Sequence, residues 1–146
     1  MRTNSSGLFL LDANVLIALC WPTHGSHAVV EEWFARRGER GWATCPFTES
    51  AFVRIVSNPS FSRDALAPAN VVRLLQDNIA HPAHRFWPAD LPVADAVRGM
   101  ITPLTGHQQI TDAYLIALAI HNRGKLATLD RGIAQLAPAG SVEVIS

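Results

Sequence analysis

The chain alternates short, fully apolar runs with longer stretches whose apolar positions recur at helical spacing. Leu8-Phe9-Leu10-Leu11 is continuous and apolar, as a strand covered on both faces requires. Asp12 ends it, and a helical stretch follows until Pro22. Ser26 to Arg37 carries Val29, Val30, Trp33 and Phe34 at helical spacing, with Gly38 and Gly41 as stops. Trp42 to Cys45 reads as a short strand. Thr48 is placed to cap a helix with Phe52, Val53, Ile55 and Val56 on its apolar face, ended by Asn58-Pro59. Val71, Val72, Leu74, Leu75 and Ile79 mark a further helix, closed by His81-Pro82. Arg85 to Trp87 is a strand, and Pro92 to Ile101 a helix with proline near its first turn. Thr105 to Gln109 is a polar loop. Thr111 to Asn122 is a strongly apolar helix stopped by Gly124. Lys125 to Leu129 and Ser141 to Ile145 complete the set as strands.

Strands alternating with helices predict right-handed crossovers, a mainly parallel sheet and helices on both faces. Ligands bind such sheets at the carboxyl ends of the strands. Asp12 and Asp130 both fall at such ends. The 146 residues fit one domain, preceded by a polar extension over residues 1–7. Leu8 to Trp21 is interrupted by Asp12 and Asn14 and falls short of the roughly 20 apolar residues of a membrane-spanning helix, so no membrane association is expected. Cys20 and Cys45 fit no metal or redox spacing, which predicts a reducing, cytoplasmic setting with both as small apolar fillers. With 12 basic and 12 acidic residues the chain carries no net charge, which excludes indiscriminate electrostatic binding of nucleic acid. Any attraction to phosphate must be local. Lys125 is the only lysine, and the arginines that make up the rest suit bidentate phosphate contacts.

The acids sort by context. Glu31, Glu32 and Glu39 lie among polar neighbours, Asp64, Asp77 and Asp90 in polar or loop-like segments, and Asp95 mid-helix. Glu143 alternates with Val142 and Val144, which predicts an outward strand position. Asp12, Glu49, Asp112 and Asp130 remain, each at a strand end or a helix start on the expected ligand side. Each has a purely structural reading as well: helix capping for Asp12, favourable helix-dipole positions for Glu49 and Asp112, and a strand-to-helix turn for Asp130. If the four converge, each like-charge pair at about 4 Å and an effective dielectric near 20 costs on the order of 4 kcal/mol. Such a cluster takes up protons or a divalent cation, and all-oxygen ligands suit Mg²⁺ or Mn²⁺. A cation held there can activate water and neutralise charge on a scissile phosphodiester.

Leu-Leu-Asp12-Ala-Asn14-Val-Leu-Ile, Thr48-Glu49, Thr111-Asp112-Ala-Tyr-Leu and Ala-Thr128-Leu-Asp130-Arg-Gly, in that order, resemble the PIN domain, and specifically the VapC-type toxins of bacterial and archaeal toxin–antitoxin pairs. The likeness covers nearly the whole chain. It implies a three-layer α/β/α sandwich and Mg²⁺- or Mn²⁺-dependent endonucleolytic cleavage of RNA. It also implies a homodimer and a cognate small antitoxin that blocks the site. On the matching positions it makes Asp12, Glu49, Asp112 and Asp130 metal-binding and catalytic, with Asn14 and Thr128 as supporting polar residues that orient the carboxylates.

Two other classes were weighed. An aspartate-nucleophile phosphatase pairs the first-strand Asp with a second two positions on, where this chain has Asn14. A non-enzymatic binding module on the same fold would be signalled by loss of an acid, and all four are present. His24-x-x-His27 and His81-x-x-His84 have metal-like spacing but no acidic or Cys partner nearby, which favours loop or surface histidines. Trp33, Trp42 and Trp87 could stack on bases, although core or interface positions suit them better. Trp33, Phe34, Val53 and Val56 are candidate contacts for a dimer or an antitoxin, with core burial the equal or better reading.

Overall fold

A computed structural model describes residues 7–64 and 66–146. The extension expected over residues 1–7 therefore lies outside the described residues except for Gly7. Five strands form one all-parallel sheet: β1 (Phe9–Leu11), β2 (Trp42–Thr44), β3 (His84–Phe86), β4 (Lys125–Thr128) and β5 (Val142–Val144), in the order β3-β2-β1-β4-β5. Six α-helices cover it: α1 (Ala13–Cys20), α2 (His27–Trp33), α3 (Pro46–Val56), α4 (Pro68–Ile79), α5 (Val93–Arg98) and α6 (Gln109–His121). A π turn at Phe34–Gly38 extends α2, and a 3₁₀ turn at Arg131–Leu136 joins β4 to β5.

The pleat sorts the core into two halves. Phe9 and Leu11 face a cluster with Val15, Leu16, Phe52, Val56 and Val71, from α1, α3 and α4. Leu10 faces the opposite cluster with Tyr114, Leu115, Leu118 and Leu126, backed by Ala96 of α5 and Leu136 of the 3₁₀ turn. Both faces of β1 are therefore dry, which is why its sequence does not alternate. The chain steps from β1 to β2 to β3 over one face, then crosses the other through α5 and α6 to β4, on the far side of β1. Strand order reverses at β1, and in sheets of this kind the ligand-binding crevice lies outside the carboxyl ends at that reversal.

Several boundaries differ from the sequence expectation for local reasons. Cys45, not Thr48, is the N-cap of α3. Pro46 occupies the first helical position, and Thr48 accepts a hydrogen bond from the Cys45 N–H at 3.0 Å. Helix α6 starts at Gln109, so the polar loop is shorter than expected and Asp112 lies in the first helical turn. Glu143 does not point freely outward. It accepts from the Trp33 indole and pairs with Arg37 at 2.9 Å. Trp42 and Trp87 are 1% and 2% exposed, and Trp33 is 4%, so none of the three presents a face to a base. Val56 is likewise core. Both cysteines are buried with their thiols pushed up by burial, which agrees with inert fillers.

At the end of α6 the left-handed backbone falls on Arg123 (φ 60°), not on Gly124. Gly124 is required by proximity. A Cβ there would lie 2.3 Å from the Leu8 carbonyl oxygen and 2.9 Å from the Trp87 ring. The obstructing atom is backbone of the strand that carries the first site residue, so it has little room to move. Gly124→Ala is expected to lower unfolding stability by roughly 1–3 kcal/mol, as overpacking does. Urea titration checks this.

Candidate active site at the carboxyl edge of the sheet

Helices in a parallel α/β sheet run antiparallel to their strands, so α1, α3 and α6 all begin at the carboxyl edge. This is what gathers acids that are far apart in sequence. Asp12 follows β1 as the N-cap of α1, Glu49 lies in the first turn of α3, and Asp112 lies in the first turn of α6. Asp130 follows β4 as the N-cap of the 3₁₀ turn, where its Oδ1 accepts from the Gly132 N–H at 2.8 Å.

Asp12 is 8% exposed and fully engaged. Its Oδ1 accepts from the Ala13 N–H at 2.8 Å and its Oδ2 from the Thr128 hydroxyl at 2.7 Å. Thr128 is completely buried, and its oxygen accepts in turn from the Asp130 N–H at 3.1 Å. One hydroxyl thus ties the end of β1 to the loop after β4. Asn14 makes a second tie through its Oδ1, which accepts from the Leu129 N–H at 3.3 Å. The capping reading of Asp12 is correct as far as it goes: the same carboxylate caps α1 and faces the crevice.

Burial raises the Asp12 carboxyl above its ordinary value. The hydrogen bonds from Thr128 and Ala13 oppose this, and the charge of Asp130 adds to it. Asp112 is half-buried and pushed up to about 6, by burial first and then by the charges of Asp12 and Asp130. Among the described residues no hydrogen-bond donor offsets that rise. The charge of Asp130 thus acts on both Asp12 and Asp112, and the charge of Asp12 acts on Asp112.

Glu49 is held differently. Its Oε2 accepts from the Thr44 hydroxyl at 2.6 Å, and that hydroxyl also lies 2.7 Å from His84 Nε2. Its charge is not among those acting on Asp12 or Asp112. Glu49 is anchored to β2 and β3 through Thr44 and His84, and Asp12 to β4 through Thr128. Among the described residues no three acidic, His or Cys side chains converge closely enough to share one ion as they stand. The donor set is nonetheless all oxygen. Oxygen donors of this kind suit a hard divalent cation.

Thr44 and His84 are the functional neighbours that sequence reading missed. His84 was expected at the surface. It sits on β3 against the Trp42 ring, with centroids 4.8 Å apart. Burial, then Arg85, then His81, lower it to about 4, so it is neutral at physiological pH. The signal lay in the spacing: Thr44 precedes Glu49 by five residues, at the end of a strand. The other histidine pair is structural. His24 Nδ1 accepts from the Ser26 N–H, and His27 Nδ1 meets the Ala18 carbonyl.

The raised Asp112 carboxyl makes a pH prediction of definite sign. The folded state holds that proton up to about pH 6, whereas the unfolded chain releases it near the ordinary aspartate value of 3.8. Between those values the folded state binds more protons, so this contribution to stability is fully present at low pH and is lost as pH rises through about 6. Asp112→Asn mimics the protonated form. In metal-free buffer its stability advantage over wild type is expected to grow from near zero at about pH 4 to a plateau above about pH 6. Paired urea titrations across that range check this.

The family profile described as PIN domain matches residues 9–138. Ribonuclease VapC39 of Mycobacterium tuberculosis is 43% identical over 136 residues, which cover 93% of this chain and 98% of that protein. Ribonuclease VapC38 of the same organism is 39% identical over 140 residues, covering 94% and 97%. The fold is also that of VapBC2 from Rickettsia felis bound to a DNA fragment from its promoter, with TM-score 0.64, 13% identity and coverage of 95% and 99%. The FitAB structure bound to an IR36 DNA fragment matches with TM-score 0.62, 21% identity and coverage of 94% of each chain. On the strength of the profile match and these near full-length relatives, the chain belongs to the PIN-domain family, in its VapC branch.

Proposed function

We propose that this chain is a divalent-metal-dependent endoribonuclease and the toxin of a type II toxin–antitoxin pair. The observation that carries the reading is the pair of raised carboxyls, Asp12 and Asp112, on which burial and the charge of Asp130 both act at the strand-order reversal, in a chain whose VapC relatives are named ribonucleases.

Asp12, Asp112 and Asp130 are the residues that would hold Mg²⁺ or Mn²⁺, with Glu49 beside them. A cation held by these carboxylates would supply an activated water and charge neutralisation at a phosphodiester. The rest is done by the chain. The Thr128 hydroxyl fixes one oxygen of Asp12, and the Asp130 N–H fixes that hydroxyl. Asn14 holds the backbone at Leu129, so Asp12 and Asp130 keep their spacing. Most of the rate in phosphoryl transfer comes from positioning and electrostatics, which is the kind of contribution a rigid edge of this sort makes.

RNA is the proposed substrate, and the cytoplasm is where it would be met. Among the described residues no helix is long and apolar enough to cross a membrane. A cognate antitoxin is the proposed partner. Exposed Phe47 and Ile110 lie in the first turns of α3 and α6, the turns that carry Glu49 and Asp112, and offer apolar anchors next to the acids. A homodimer is the proposed assembly, and Val93, Ile101 and Ile120 are exposed apolar residues on the opposite face of the sheet from α1 to α4.

Asp12→Asn is expected to abolish cleavage of a mixed RNA pool, a larger loss than the roughly 10–100-fold that follows removal of an outer-shell partner. Its melting temperature in metal-free buffer is expected to stay level or rise, because a buried charge is removed. A marked fall would assign Asp12 to capping alone. Wild type purified free of antitoxin is expected to cleave with Mg²⁺ or Mn²⁺ and to stop on addition of EDTA. Failure to cleave any RNA pool with metal would favour a binding module. Millimolar metal is also expected to raise the wild-type melting temperature, because it binds the folded state.

A further inference from the structure

Thr44 ends β2 with its side chain completely buried, and its hydroxyl lies between two groups. Glu49 Oε2 is 2.6 Å away and His84 Nε2 is 2.7 Å away. A hydroxyl has one hydrogen to give, and an ionised carboxylate only accepts. Thr44 therefore donates to Glu49. Its oxygen must then accept from His84, whose Nε2 carries the hydrogen. The direction of both bonds and the imidazole tautomer follow from this count. His84 packs against the Trp42 ring in an edge-to-face contact, the two planes 63° apart. The chain of donors runs from β3 through β2 to α3.

The arrangement repeats on the other side of β1. There the Asp130 N–H donates to Thr128, and Thr128 donates to Asp12. In both cases a buried threonine, the last residue of a strand flanking β1, gives its single hydrogen to a carboxylate and is pinned from behind by an N–H. In both cases one carboxylate oxygen is tied down by the threonine. For Glu49 this leaves Oε1 as the oxygen available to a cation or its water.

We propose that Thr44 and His84 are positioning residues that orient the Glu49 carboxylate for the metal site. The inference rests on the reading of Glu49 as part of that site. Partners that hydrogen-bond a ligating carboxylate set its orientation, and their loss commonly weakens metal binding by roughly 10–100-fold. His84 acts through Thr44, and only as an N–H donor.

The test is Mn²⁺ binding by calorimetry on antitoxin-free protein, combined with the ¹⁵N spectrum of the histidine rings in metal-free wild type. His84 is expected as the neutral Nε2–H tautomer, and finding the hydrogen on Nδ1 overturns the inference without any variant. Thr44→Val, which keeps the shape and loses the hydroxyl, is expected to raise the Mn²⁺ dissociation constant about tenfold. Thr44→Ser is expected to restore it. His84→Gln keeps a donor and is expected to bind more tightly than His84→Leu. On a Glu49→Gln background, Thr44→Val is expected to have no further effect, which a merely structural role would not produce. Unchanged Mn²⁺ binding in Thr44→Val, or an undiminished effect on the Glu49→Gln background, overturns the inference alone. A wild type that takes up no Mn²⁺ overturns the metal reading of the site, and the inference with it.

Discussion

Asp12, Asp112 and Asp130 carry like charges that the fold holds within electrostatic reach in a partly dry crevice. Left to themselves such groups separate or take up protons. What prevents separation is the backbone to which each is fixed. Asp12 is set by the end of a strand buried on both faces, Asp112 by the first turn of a helix packed on the sheet, and Asp130 by the turn that leaves β4. The apolar core thus opposes a repulsion that only a cation or protons relieve. Stability and chemistry draw on the same carboxylates with opposite sign, which is a common feature of sites that hold a metal.

The polar groups around the acids make the crevice rigid without neutralising it. Thr128 and Asn14 link the ends of β1 and β4, on either side of the strand-order reversal. Thr44 and His84 link β2, β3 and α3 around Glu49. None of these four partners is a cation, so none of them offsets the charge of the acids they hold. The strict requirement for glycine at residue 124 belongs to the same logic. It lets the chain entering β4 lie against the Leu8 carbonyl, so that β4 pairs closely with β1 from its first residue.

Much of this was legible in the sequence. The unbroken apolar run before Asp12 marked a doubly covered strand, and the alternation of strands with helices gave the parallel sheet and its ligand-binding edge. Asp12 and Asp130 stood out by their places at strand ends, whereas Glu49 and Asp112, at helix starts, were singled out by the family resemblance. What was not legible depended on contacts between distant segments. His84 looked like a loop histidine because its partner, Thr44, lies 40 residues away. Glu143 looked outward because strand alternation says nothing about an indole and an arginine arriving from α2 and its π extension. Thr48 looked like a cap because the hydroxyl one turn into a helix and the hydroxyl before it have the same local signature. That Glu49 is tied through Thr44 to His84 is a matter of side-chain direction, which residue order does not encode.

The central claim is that the three aspartates form a cation site whose charge is uncompensated by the protein. Anomalous scattering from crystals grown with Mn²⁺ tests it most directly. The account predicts a peak bounded by the carboxylates of Asp12, Asp112 and Asp130, with those carboxylates drawn inward toward it. Crystals saturated with Mn²⁺ that show no peak at that edge of the sheet, with the three carboxylates still apart, would contradict it.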